Sequence, residues 1–300
     1  ALSSNALPNS RNLSLLGMRR WDLLFQRISV GNSNNIIGDL AFDGSNIWAT
    51  NPSANNVTKI RVSDGTIQGV FNVGTYPSAI AYDGANIWVV NKLSSTITKL
   101  RAIDGTILDT IAVASQPGAI AFDGVNIWIT HELQTFVTKI RASDGASQGV
   151  FSVVETGSIA IAFDGTYIWI AMYYPGRVRK LRASDGQQVG NFPAGGQPTG
   201  IAFDGSHIWI ANPLSSSLTK LDPATGANLG TINTGSGPIG VVFDGTNIWV
   251  PMGDGVRKIR VGDLTNLGNF PVESVGGIAF DGMNIWVAGV GCVTKIPVFN

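Results

Sequence analysis

The octapeptide Ala41-Phe-Asp-Gly-Ser-Asn-Ile-Trp48 sets the period of this chain. Its aromatic-Asp-Gly core returns seven times, at Asp43, Asp83, Asp123, Asp164, Asp204, Asp244 and Asp281, with spacings of 40, 40, 41, 40, 40 and 37 residues. A self-similar unit of this length cannot bury a core alone and must stack on its neighbours, so the chain is a repeat architecture.

Each repeat parses into four short strands. In the first, strand a covers about Ile37 to Phe42, b about Ile47 to Thr50, c about Val57 to Val62 and d about Ile67 to Val73. Asp43-Gly44-Ser45-Asn46 joins a to b, and Asp64-Gly65 joins c to d. Asp-Gly between apolar runs marks a hairpin, because glycine supplies the positive φ of a tight turn. Four strands in about 40 residues, with no helical periodicity, make one propeller blade. The seventh repeat supplies only Ile278 to Phe280, Ile285 to Val287 and Val293 to Val298, while Leu24 to Val30 near the start reads as an orphan strand d. The expected fold is therefore an all-β, seven-bladed propeller of four-stranded blades, residues 23–300, closed by an N-terminal strand that completes the last blade. Closure removes the unpaired sheet edge that an open array would expose. Residues 1–22 match no repeat. Leu13 to Phe25 is apolar enough for a short helix that Gly17 weakens. That extension reads either as a tail packed on the body or as an assembly contact for a partner subunit.

The tryptophans at 48, 88, 128, 169, 209, 249 and 286 read as one ring per blade filling the gap between sheets, since strand b is internal. The turn aspartates follow from turn geometry and lack the clustered carboxylates of a calcium loop. Strand c repeats a lysine at 59, 99, 139, 180, 220, 258 and 295, followed two residues on by arginine in five blades. A basic ring could face nucleic acid. The alternative, preferred here, is outward-facing basic residues matched by the turn aspartates and contributing little stability.

Hydrophobic residues make up 44% of the 300 and charged ones 13%, enough apolar matter for a large core. A net charge of zero argues against nucleic-acid or anionic-membrane partners held by bulk electrostatics. No apolar run approaches the length that spans a membrane. The lone Cys292 excludes an internal disulfide. A polar, low-charge surface rich in Ser, Thr and Asn suits an exported protein: periplasmic, cell-surface or extracellular. No cofactor or metal motif occurs: there is no phosphate loop, serine-nucleophile signature or metal-spaced His/Cys set.

The segments Ile80-Ala-Tyr-Asp-Gly-Ala-Asn-Ile-Trp-Val-Val-Asn91, Thr96-Ile-Thr-Lys-Leu100, the Asp104-Gly105 turn and Pro117-Gly-Ala-Ile-Ala121 resemble the YVTN-type β-propeller repeat family over about residues 23 to 300. The resemblance implies the propeller and leaves activity open, since that family spans ligand-binding, cell-surface and unassigned proteins. A more distant likeness is to streptogramin lyase and lactonase-type propellers. For those the resemblance implies a His, or acidic residues with a metal, at one mouth of the channel.

Comparing repeats locates the variable surface. The a–b and c–d turns share one face and repeat Asp-Gly; the b–c loops and d–a links share the other and vary, as a recognition surface on a fixed scaffold would. Blades 3 and 4 depart most from the Asn/Ser habit of these loops, bringing His131, Glu132, Gln134, Phe136, Tyr173, Tyr174 and Arg177, and their link is one residue longer and carries Glu155. Blades 6 and 7 have shorter b–c loops, so the rim should be low there. As a binding patch, Phe136, Tyr173, Tyr174, Arg177 and Gln134 offer residue types that anchor interfaces. As a catalytic mouth, His131 would be the base with Glu132 or Glu155 orienting it, a set too small for the lyase or lactonase constellation. The expectation is a non-catalytic binding or assembly module, for a protein or small-molecule partner. The alternative is a small-molecule lyase or lactonase-like hydrolase at the channel mouth.

Overall fold

The computed structural model describes residues 25–32, 34–273 and 276–298. The expected extension at 1–22, with its short helix, lies outside them. Seven four-stranded antiparallel sheets form the ring, each in the order a-b-c-d. Blade 1 runs Leu40–Phe42, Asn46–Asn51, Asn56–Arg61 and Ile67–Asn72. The seventh sheet is closed from the chain's beginning: Gln26–Ser29 pairs antiparallel with Cys292–Pro297, Gln26 opposite Lys295 and Ser29 opposite Cys292. Arg27 adds an ion pair with Glu273 at 3.2 Å, tying the closing strand to the blade 6–7 link. No helix among the described residues is long and apolar enough to cross a membrane.

Strand a of blade 1 is shorter than the pattern suggested, starting at Leu40. The preceding residues still pair: Gly38 N donates to the Thr50 carbonyl at 2.9 Å and Thr50 N to the Asp39 carbonyl at 3.0 Å. Farther out, the c–d pairing slips at the lysine in blades 1 to 6, as at Lys59, which faces Gly69 while Ile60 faces Ile67. The bulge adds one residue to strand d and increases its twist.

All seven repeat tryptophans are buried, with at most 1% of their surface exposed. Each indole N–H donates to the aspartate of its own a–b turn, at 2.6 Å for Trp249 and up to 2.8 Å for Trp48. The same carboxylate accepts the backbone N–H groups two and three residues on, as Asp83 does from Ala85 and Asn86. The aspartate therefore anchors the turn and the core ring together. Burial alone would raise the Asp83, Asp204 and Asp244 carboxyls, but the donors converging on each, the indole first, hold them below the ordinary value.

The lysine ring corrects the sequence expectation. Among the described residues, the ammonium groups of Lys59, Lys99, Lys139, Lys180, Lys220 and Lys295 take backbone carbonyls as hydrogen-bond partners. They cross to the next blade and donate to backbone carbonyls at the start of its c–d turn: Lys59 to Ala102 at 2.7 Å, Lys99 to Ala142 at 2.6 Å, Lys139 to Ala183 at 2.7 Å, and Lys295 to Val62 at 2.6 Å across the closure. Each also lies over its own blade's tryptophan, 4.9 to 5.4 Å from the ring centre. Only the arginines behave as expected, pairing with turn aspartates as Arg61 does with Asp64 at 3.1 Å. The seam is filled further by strand d. Phe151 stacks at 5.2 Å from Trp128 and abuts Gly186 of the next c–d turn, where a β-carbon would come within 1.9 Å of the ring. Gly186, at φ +71°, is thus required both by backbone conformation and by space.

Candidate functional site: the variable face and the channel mouth

The inner strands surround a channel. Where they begin, on the side of the b–c loops and d–a links, it widens to a cavity of about 420 Å³ lined by the first residues of strand a from all seven blades. Neighbouring inner strands hold one another there: Gly277 N donates to the Gly38 carbonyl at 2.6 Å, and the Thr199 hydroxyl to the Ile239 carbonyl at 3.1 Å. Counting four residues back from each turn aspartate gives Asp39, Ala79, Ala119, Ala160, Gly200, Gly240 and Gly277. Six are Ala or Gly; one is a carboxylate, the only charged residue among the described residues that line the cavity.

Asp39 accepts Leu40 N at 2.9 Å and, across the seam, Ile80 N at 3.2 Å. The residue is partly buried at the cavity wall. Burial raises its pKa to about 6 against the pull of those two N–H groups. The sequence reading missed Asp39. Superposing the repeats at this position was the signal that could have found it.

Beyond the channel, the end of strand b meets strand c through a recurring pair. Asn51, Asn91 and Asn212 donate to Thr58, Thr98 and Thr219 at 2.9, 2.8 and 2.9 Å. His131 occupies the same position in blade 3: it is fully buried, with Nε2 at 2.8 Å from the Thr138 hydroxyl and Nδ1 at 3.3 Å from the Ser115 carbonyl. Burial lowers its pKa, against the backbone contacts with Ser115 and Ala114. Blades 4 and 6 swap the pair for Met172 with Arg179 and Met252 with Arg257. Arg179, buried, reaches Glu155 of the longer link at 2.5 Å. Glu132 pairs instead with Lys92 of blade 2 at 2.6 Å. His131, Glu132 and Glu155 thus have separate partners. Among the described residues no group of three or more His, Cys, Asp or Glu side chains could hold a metal ion.

Of the other residues of the sector, the two tyrosines touch each other and the rest have local partners. Tyr173 and Tyr174 meet edge to face at 4.6 Å. Phe136 lies 5.5 Å from the His131 ring, Gln134 donates to the Ser115 hydroxyl at 3.2 Å, and Arg177 Nε donates to Asn191 Oδ1 at 2.6 Å. Backbone bonds unite the two loops and their link: Gly157 N donates to the Glu132 carbonyl and Tyr173 N to the Gly157 carbonyl, both at 2.7 Å. The loop tips, five residues past each tryptophan, carry a further pattern. Leu93, Leu133, Tyr174 and Leu214 project from blades 2 to 5, exposed by 60, 67, 63 and 70%. Blade 6 has Asp254 there, in a two-residue turn between the paired Met252 and Gly255.

No family model matches this chain, and no curated protein matches it in sequence. Solved structures do match in fold. Streptogramin B lyase aligns at 19% identity over 90% of this chain and 96% of that one, with a TM-score of 0.77. U3-55K aligns at 15% identity over 92% and 99%, with a TM-score of 0.82, and the WD40 repeats of RRP9 at 14% over 92% and 98%, with a TM-score of 0.83. The chain is a seven-bladed propeller. At such identities the likeness carries the fold alone, and the fold serves lyases and WD40 proteins alike.

Proposed function

We propose that this protein is a non-catalytic binding and assembly module that docks a protein partner on its variable face, across blades 2 to 5 and centred on blades 3 and 4. The observation that carries the reading is the arc of exposed Leu93, Leu133, Tyr174 and Leu214, at one structural position in four consecutive blades. Scattered single apolar residues are ordinary on a surface; a row repeated at loop tips, beside paired tyrosines and a held arginine, is the makeup of an interface. Link 3–4, bonded to both loops, keeps the centre of the arc in place and lowers the ordering cost of docking. The kinship with YVTN-type propellers and an exported location, suggested by the polar and weakly charged surface, belong to the same proposal. The other reading, a lyase or lactonase-like hydrolase at the channel mouth, finds its sequence candidates His131, Glu132 and Glu155 each engaged with internal partners.

The test is site-specific photo-crosslinking in the native host from positions 133 and 174, with position 103 on the opposite face as control. The partner so identified is then titrated against the double variant Leu133→Ser/Tyr174→Ser and against Ile103→Ser/Met283→Ser. The reading expects at least about a tenfold loss of affinity for the first, equivalent to ~1.4 kcal/mol, and no change for the second. Crosslinks confined to position 103, or equal affinity of the two variants, would overturn it.

A further inference from the structure

The channel mouth contains a feature that the docking arc does not use. Six blades place Ala or Gly at the ring position four residues before the turn aspartate, where inner strands approach closely. A β-carbon on Gly200 would lie 2.7 Å from the Gly240 Cα, and one on Gly277 would lie 2.6 Å from an Asp39 carboxylate oxygen. Packing therefore favours the smallest residues around this ring, and blade 1 nonetheless carries a carboxylate. The two backbone donors to it leave lone pairs on both oxygens. Among the described residues no Lys, Arg or His lines the cavity to neutralise it.

The rest of the wall defines what could neutralise it. Ser78 and Thr199 line the cavity, and their hydroxyls donate outward to the next blade's carbonyls, at 3.4 Å to Gly118 and 3.1 Å to Ile239. Their oxygen lone pairs remain as neutral acceptors. Ile120, Ile159, Ile161, Ile201, Ile239 and Ile278 supply apolar surface. One carboxylate without a second acid or an imidazole is a poor cage for a divalent ion, which needs several hard donors. A singly charged ammonium needs one counter-ion and a few neutral acceptors, and its hydrocarbon part can lie on the isoleucines. At about 420 Å³ the space suits a small molecule.

We infer that the channel mouth on the variable face is a binding site for a small organic primary ammonium compound, with Asp39 as its counter-ion, Ser78 and Thr199 as neutral acceptors and the isoleucine wall holding the hydrocarbon part. The raised pKa of Asp39 agrees with a carboxylate kept short of a partner until a cation arrives. The site is independent of the docking arc, and neither needs the other.

The test uses the full chain at pH 8 with n-butylammonium as probe, titrated by calorimetry beside 1-butanol and potassium chloride. Butylammonium is expected to bind at least about tenfold more tightly than 1-butanol, whose shape it shares without the charge. Asp39→Asn removes the charge, its single amide oxygen still able to accept one of the two backbone N–H groups, and is expected to lose at least about tenfold of that affinity, leaving 1-butanol binding unchanged. In a second readout, saturation with butylammonium should lower the Asp39 carboxyl pKa followed by NMR. Equal binding of amine and alcohol, an unaltered Asp39→Asn variant, or potassium saturating the site at the same concentrations would each overturn the assignment. Variants of Leu133 and Tyr174 should leave butylammonium binding intact, which separates a failure here from a failure of the docking surface.

Discussion

Replacing Lys59 by Met tests how the blades are held together. The ammonium of Lys59 donates to the Ala102 carbonyl at 2.7 Å and the Ile103 carbonyl at 2.9 Å, both in blade 2, and sits 5.2 Å from the Trp48 ring centre. The residue is 7% exposed. Hydrogen bonds to a charged donor contribute about 1.5–3 kcal/mol each, and a partly desolvated cation over tryptophan about 1 kcal/mol. Against this stands the cost of keeping an ammonium out of water, which the thioether escapes while retaining the stem's packing. The balance is a loss of about 2–3 kcal/mol. At ~2 °C per kcal/mol, the low end for a chain of this size, the melting temperature should fall by about 4–6 °C. Arg61→Met is the control: its pair with Asp64 is about half exposed on each side, 48 and 49%, and should matter by less than about 1 kcal/mol. Thermal unfolding by circular dichroism, with hydrogen exchange at the Ala102 seam, reads both. A Lys59→Met melting point within about 1 °C of the parent, or an Arg61→Met loss as large, would refute the inter-blade latch.

Three further outcomes follow from the same geometry. Trp128→Phe removes an indole donor at 2.7 Å from Asp123 and leaves a void in the core, so calorimetry should show a loss of about 2–4 kcal/mol. Gly186→Ala combines positive φ with a clash against Phe151 and should cost about 2–4 kcal/mol, whereas Gly165→Ala, at φ +96° with nothing within 4 Å, should cost only the smaller backbone term in the same denaturation assay. Asp39→Asn, whose single amide oxygen can accept only one of the two backbone N–H groups, should gain stability relative to the parent as pH rises. The folded pKa of about 6 lies above the ordinary 3.8, so the folded state holds its proton longer and the parent loses stability as pH rises through that window. Urea titrations should find the stability of the variant relative to the parent rising by up to about 3 kcal/mol from pH 4 to above pH 6, the opposite of the usual paired aspartate; a difference that falls as pH rises would contradict the buried carboxylate.

Much of this architecture could be read from spacing. Asp43 to Asp281 set the blade count, the Asp-Gly turns set the hairpins, and the unmatched apolar run before Ser33 announced the closing strand. What could not be read was the direction of side chains across a seam. Lys59 and Arg61 lie two apart on one strand and look equivalent, yet one reaches 43 residues ahead to a carbonyl while the other meets a turn aspartate three residues on. His131 looked like a departure suited to chemistry; in place it takes over the role of Asn51 and Asn91, bridging to the strand c threonine. Asp39, inside the expected strand a, drew no notice until the ring gathered its six Ala and Gly counterparts around one cavity.

The division has a physical cause. Turn chemistry and strand alternation act between residues near in sequence, so the repeat by itself determined the number of blades, their strand order and the burial of the tryptophans. Contacts between blades join residues about 40 positions apart, and the channel joins all seven repeats at once. Which lysine finds a carbonyl, which loop tips align into an arc and which carboxylate lines the channel were decided only when the ring closed and set those distant residues side by side.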